Sequence, residues 1–215
     1  MELTAVNGVF SDKQIRDEVN TMVAAGHDTT AVTLLIGLVM IGSHQKVQDK
    51  IYEELSDVFG NSDRDVEKAD LVKMKYLEAT INEIIRLHPI ATVIGRQTDE
   101  ELKLSKYTLP KGSSCMIPIL GIQRSMLWGP DANEFIPERW FDASTLPQHP
   151  AAFCGFSVGK RMCIGKSYAI MFLKIALSHI LRKYRVTADH TKMQLIQEMT
   201  LRPGSGHLIQ IELRN

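Results

Sequence analysis

The sequence predicts a mainly α fold with small β elements, on three observations. Apolar residues recur at helical spacing over long stretches before Pro89 and again after Gly165. Short alternating segments broken by turn residues fill the middle and the tail. With 215 residues, 44% hydrophobic and 23% charged, the chain is long enough for one domain with a proper core.

The first helix is read from about residue 12 to 42. Ser11 can cap it, Gln14 can complete a capping box, and Phe10 and Ile15 fit a hydrophobic staple. Ile15, Val19, Met22 and Val23 then recur at helical spacing. In its middle lies Ala25-Gly26-His27-Asp28-Thr29-Thr30, a poor helix interior. Gly costs about 1 kcal/mol against Ala there, and a Thr hydroxyl can bond back to the i−4 carbonyl. This predicts a local opening of the helix.

Val47, Ile51, Leu55 and Val58 give a second helix that stops near Gly60, and the charged residues 61–70 read as a loop. Leu77, Ile81, Ile84, Ile85 and His88 give a third, terminated by Pro89. Glu83 and Arg86 share a face of it at i, i+3, flanked by Ile. A partly buried pair of this kind wants a third partner, and Arg139, in Pro137-Glu138-Arg139-Trp140, is the candidate.

Leu102/Leu104 and Tyr107/Leu109 alternate about a short turn, Pro110-Lys111-Gly112 makes a second, and residues 113–120 continue as a strand. The last helix is read from Lys166 to Leu181, with Tyr168, Phe172, Ile175, Ala176, His179 and Ile180 on one face. Residues 184–215 read as short strands with a turn at Pro203-Gly204-Ser205-Gly206.

Several classes drop out on composition. Cys115, Cys154 and Cys163 form no CxxC pair and leave an odd count, against a disulfide framework or a zinc site. The seven His show no HExxH arrangement, and nothing points to nucleic acid. Ala31 to Gly42, the most apolar stretch, is too short to cross a bilayer. No signal peptide is visible at the N-terminus. The zero net charge hides an asymmetry: residues 1–101 carry a net −8 and residues 102–215 a net +8. From Lys160 to Arg185 there are seven basic residues and no acidic one, a field that can steer an acidic partner.

The chemistry concentrates in Phe156-Ser157-Val158-Gly159-Lys160-Arg161-Met162-Cys163-Ile164-Gly165. Cys163 sits between two glycines where a loop enters a helix. Unpaired N–H groups and the dipole of a helix N-terminus favour an anion there. Gly159 and Gly165 allow a tight turn and close approach to something flat and large. Phe156 can cover the sulfur, and Arg161 can meet a carboxylate. The competing reading is a free, buried cysteine before a core helix.

The spacing Phe-x-x-Gly-x-Arg-x-Cys-x-Gly resembles the haem-binding signature of the cytochrome P-450 monooxygenases. Ala25-Gly26-His27-Asp28-Thr29-Thr30 is similar to that family's oxygen-activation motif, and Glu83-x-x-Arg86 with Arg139 to its structural cluster. The resemblance covers essentially the whole chain and implies the C-terminal half of the cytochrome P-450 fold, a partial domain over residues 1–215.

It implies haem b with Cys163 as axial iron ligand. Ala25, Gly26, Arg96, Phe156, Gly159, Arg161 and Gly165 would join Cys163 in binding the cofactor, with Arg96 reaching a propionate. Asp28 would relay protons and Thr29 would hold dioxygen and its water. Glu83, Arg86 and Arg139 take a scaffold role. The family commonly has His-Arg at 123–124; Gln123 here weakens Arg124 as a second propionate contact. Thr200 and Leu201 match a substrate-touching loop.

The implied partners are an NADPH-dependent flavin reductase, with cytochrome b5 as an alternative donor, O2 and a lipophilic small-molecule substrate. Lys160, Lys166 and Lys174 are candidate reductase contacts, against a reading as ordinary surface lysines. Details such as Trp128-Gly129-Pro130-Asp131 resemble the microsomal eukaryotic members, in the clan with fatty-acid hydroxylases and insect enzymes. That implies the endoplasmic reticulum membrane, through an N-terminal anchor not in this sequence. Two alternatives stay open: a truncated haem-binding fragment with no activity alone, and a helical interaction protein with no cofactor.

Overall fold

The computed structural model describes residues 10–214; the expected lack of a leader signature falls on residues outside these. Helix α1, Asp12–Ser43, opens with the capping box. Gln14 N–H donates to Ser11 Oγ at 3.3 Å, and Ser11 N–H donates to Gln14 Oε1 at 2.8 Å. Phe10 stays exposed.

The expected opening at Gly26 is absent: α1 is continuous. Thr29 Oγ1 donates to the Ala25 carbonyl at 2.7 Å and Thr33 Oγ1 to the Thr29 carbonyl at 2.8 Å, while Thr30 does the same to Gly26. These hydroxyls share carbonyls that the helix already uses, so they decorate the turn without breaking it.

Helix α2, Gln45–Phe59, follows after His44. Lys68–Leu71 forms a single helical turn inside the segment expected as loop. It is held by Arg64, whose guanidinium grips the buried Asp70 carboxylate at 2.6 and 2.9 Å. Helix α3, Lys75–Leu87, receives its N-terminal cap from a neighbour. Glu54 of α2 accepts the N–H of Tyr76 at 2.6 Å and of Leu77 at 3.0 Å. A carboxylate on the first unpaired donors of a helix is favoured by charge and hydrogen bonding together.

Strands β1 (Ile94–Gln97), β2 (Leu102–Lys103), β3 (Thr108–Leu109) and β4 (Ser114–Ile117) form two antiparallel pairs, β1 with β4 and β2 with β3. Strand β4 ends three residues before the expected Leu120, because Pro118 has no N–H to extend the ladder and a short helix, Ile119–Gln123, begins after it.

Helix α4, Lys166–Lys183, runs directly into β5, Tyr184–Ala188. Strands β6 (Gln194–Gln197), β7 (Leu201–Ser205) and β8 (Ile209–Leu213) complete two further pairs, β5 with β8 and β6 with β7. The expected turn at 203–206 is displaced. Pro203 to Ser205 lie within β7, tolerated beside a register shift at Gln194/Leu195, and the reversal falls at Glu198–Thr200.

The core joins the second half of α1 to the other helices. Ile36, Met40 and Ile41 meet Ile51 and Leu55 of α2, Leu77, Ile81 and Ile84 of α3, Leu173, Leu177 and Leu181 of α4, and Val186 of β5. Each such side chain contributes about 1.5–3 kcal/mol on burial. The first half of α1 is uncovered, with Val19, Met22 and Val23 each about half exposed. Against the expectation that its apolar stretch is too short, α1 is long and apolar enough to cross a membrane by length and composition. Its apolar second half is nevertheless spent on this core.

Gln48 fastens the C-terminal strands to the helices. Fully buried, it donates to the Val186 carbonyl at 2.7 Å and accepts the Val186 N–H at 2.8 Å. Replacing it with Leu keeps the volume but orphans the buried Val186 N–H, while the carbonyl keeps Gln45 Nε2 at 2.9 Å. Gln48→Leu should lose about 2–3 kcal/mol in urea unfolding, whereas a surface control such as Gln14→Leu should lose well under half of that.

Candidate functional site

The loop of Cys163 is built by backbone bonds and two left-handed residues. Ser157 (φ 60°) and Gly159 (φ 77°) turn the chain. For Ser157, with its Cβ, this costs about 1 kcal/mol. Ser157 N–H donates to the Cys154 carbonyl at 2.7 Å, and its Oγ accepts from Arg96 at 3.0 Å. A short 3-10 turn over Gly159–Arg161 follows, and Cys163 N–H closes the loop onto the Phe156 carbonyl at 2.8 Å. The chain enters α4 through Gly165.

Cys163 is free and exposed, which removes the reading as a buried core cysteine. A Cβ built on Gly165 would stand 3.9 Å from Sγ, in ordinary van der Waals contact, so this glycine lies directly beside the sulfur. A Cβ on Gly159 would meet nothing within 4 Å. Val158, Met162 and Ile164 stand exposed along the loop, Ile164 at 85%. Arg161 finds no hydrogen-bond or ion-pair partner among the described residues, and Phe156 packs inward against the core. An open thiol, apolar flanks, free space over a glycine and two nearby arginines fit a flat, largely apolar iron macrocycle carrying carboxylates.

The second group lies on the uncovered half of α1. Ala25 is exposed, Gly26 and Thr29 are half-buried, and a Cβ on Gly26 would meet nothing within 4 Å. Asp28 is exposed, and its Oδ2 accepts from Thr200 Oγ1 at 3.2 Å. Among the described residues no hydrogen bond or ion pair joins Asp28 or Thr29 to the Cys163 loop. The two are linked indirectly, through the β6–β7 hairpin and β1.

Glu83, Arg86 and Arg139 converge at full burial. Arg86 donates to both Glu83 oxygens at 2.8 Å, and Arg139 Nε to Oε1 at 2.9 Å. Trp140 Nε1 and the Ile136 N–H add contacts at 3.1 and 3.0 Å. The rest of Arg86 is spent on backbone, donating to the carbonyls of Gln123, Ala132 and Glu134 at 2.8, 2.6 and 3.0 Å.

Gln123 was legible only as a departure from a pattern, yet it has a clear position. Buried at the end of the short helix, it donates to the Ile85 and Arg86 carbonyls at 3.1 and 3.0 Å and accepts the Cys154 N–H at 2.9 Å. It thus ties the end of α3 to the start of the cysteine loop. Gly155, next along, leaves no room for a side chain: a Cβ would fall 2.4 Å from Ile85 Cγ2.

Two lesser candidates are corrected. Lys174 is buried, bonded to the Leu71 carbonyl at 2.7 Å and to Glu78, so it offers no docking charge; Lys160 and Lys166 are exposed. Arg124 turns to the Leu87 carbonyl at 3.0 Å. Burial, then the charge of Arg86, lowers its pKa.

An exposed, free cysteine on a glycine-bounded loop supplies one thiol open to a metal or an electrophile. Comparison with known proteins is more specific: the chain belongs to the cytochrome P-450 family, whose sequence model matches residues 1–210. It is 38% identical over 208 residues to cytochrome P-450 4V2 of Homo sapiens, covering 96% of this chain and 40% of that protein. It is 35% identical over 216 residues to cytochrome P-450 4g15 of Drosophila melanogaster, covering 98% and 38%. The chain therefore spans about two fifths of the length of the curated relatives it matches.

Two stability predictions follow from this geometry. Glu83→Ala leaves two buried guanidiniums without their carboxylate and should cost about 3–5 kcal/mol by denaturant titration. His88, at the end of α3, has its pKa lowered from 6.5 to about 3, first by burial, then by Arg124, His190 and Arg86. The folded chain rejects a proton that the unfolded chain binds. This contribution is therefore complete above pH 6.5 and is lost progressively as pH falls toward about 3. Its slope reaches about 1.4 kcal/mol per pH unit. Urea midpoints across this window should fall more steeply for the wild type than for His88→Gln.

Proposed function

We propose that residues 1–215 are part of a cytochrome P-450 domain acting as a haem-thiolate monooxygenase on a lipophilic organic substrate. The observation that carries this is the exposed Cys163 thiol on a loop whose glycines leave open space beside it. The Cys163 thiolate would ligate the haem iron, Gly159 and Gly165 would keep side chains clear of the haem, and Phe156 would back the loop. Arg96 and Arg161 would pair with the haem carboxylates. Ala25 and Gly26 keep the wall of α1 low enough for close approach.

Bound there, haem b supplies reductive activation of O2: two electrons and two protons place one oxygen atom in a C–H bond and release the other as water. Asp28 takes up protons from solvent and relays them, and Thr29 holds the water that carries them inward. Thr29 Oγ1 spends its proton on the Ala25 carbonyl at 2.7 Å, so its lone pairs remain available to accept. Glu83, Arg86 and Arg139 serve as scaffold.

Electrons come from an NADPH-dependent flavin reductase, with cytochrome b5 as a second donor. The exposed Lys160 and Lys166 beside the loop provide positive charge for an acidic partner. The parent protein sits in the endoplasmic reticulum membrane, and its substrate is a lipophilic small molecule.

A second reading rests on one observation, the uncovered apolar half of α1. On that reading this polypeptide binds haem but needs further chain for activity. One spectrum separates the possibilities. Reconstituted with haem, reduced and exposed to carbon monoxide, the wild type should give a strongly red-shifted Soret band that Cys163→Ala lacks. A red-shifted band without turnover in the presence of reductase supports the inactive fragment. An unshifted band in the wild type rules out thiolate ligation.

A further inference from the structure

The tip of the β6–β7 hairpin touches the same carboxylate that the proton path uses. Thr200 Oγ1 donates to Asp28 Oδ2 at 3.2 Å, across 172 positions of sequence. The hairpin that presents it is anchored on both sides. On one strand Gln197 Oε1 accepts from Thr92 Oγ1 at 2.7 Å. On the other, the buried Leu201 donates its N–H to the Ile90 carbonyl at 2.8 Å. Both anchors lie on the segment leading from α3 to β1, the strand that carries Arg96.

The charged residues of the tip, Glu198 and Arg202, pair with each other, so the hydroxyl is the group that meets Asp28. Among the described residues, Thr200 is the one hydrogen-bond donor to Asp28, and Oδ1 has no partner. An exposed carboxylate on a helix exchanges among rotamers; a donor on a separately anchored hairpin selects one.

We infer that Thr200 is a positioning residue for Asp28. Its hydroxyl holds Oδ2 while Oδ1 stays open to take up and pass on a proton. The inference deepens the reading of Asp28 as the proton relay and rests on it.

Two measurements test it. In hydrogen exchange of the chain without haem, Thr200→Val and Asp28→Ala should each speed exchange of the Leu201 amide by about threefold. The double variant should be no faster than either, and Thr200→Ser should match the wild type. In the haem-loaded protein, Thr200→Val should lower the share of reducing electrons recovered in oxygenated product rather than hydrogen peroxide, and Thr200→Ser should restore it.

Unchanged exchange in all variants overturns the tether. Lost electron recovery in Asp28→Asn but not in Thr200→Val overturns the positioning role and leaves the relay intact. Full recovery in Asp28→Asn removes the relay itself, and the proposal with it.

Discussion

The carboxylate of Glu83 is the constraint on which the rest of this structure depends. Two guanidiniums, an indole N–H and a backbone N–H all aim at its two oxygens, with both ion pairs essentially out of water. Burying such charges costs several kcal/mol per ion and is tolerated only when every partner is in place. The segment from Gln123 to Trp140 therefore has little freedom: Arg86 alone fixes three of its carbonyls. Once that segment is set, Gln123 is set, and through the Cys154 N–H it fixes where the cysteine loop begins. The loop is located by a chain of polar bonds running back to one carboxylate.

Helix α1 serves two masters along its length. Its second half is core, with Ile36, Val39 and Ile41 fully buried, and its first half is left for other groups. The run of threonines at the changeover leaves the helix whole, where composition alone argues for a break. A hydroxyl that bonds back to its own helix needs no water and no neighbour. It can sit at a boundary between packed and open surroundings without a desolvation cost.

Much of the architecture was legible because it is periodic or punctuated. Four long helices followed from apolar spacing, and Ser11, Gly60 and Pro89 marked their ends. What was not legible depended on three dimensions. The closure of α1 over Gly26 turns on where threonine protons go. Pro203 reads as a turn residue by type, yet a register shift in the partner strand lets it stay in β7. Lys174 reads as a surface lysine until α3 brings Glu78 beside it.

In the candidate site, residue types and spacing on one segment singled out the Cys163 loop as a candidate, whereas contacts between distant segments were beyond reach. Gln123 on Cys154, Ser157 on Arg96 and Thr200 on Asp28 carry no pattern in one dimension.

The Gln48–Val186 contact has a consequence for synthesis. Its two residues are 138 positions apart, and Arg214 also reaches Gln48 at 3.2 Å. The helical core therefore cannot close until the segment from Val186 to Arg214 has been made. Until then the apolar faces of α1 to α3 wait uncovered, and contacts so distant in sequence form slowly. A nascent chain of this kind is a natural client for chaperones that shield apolar helices during translation.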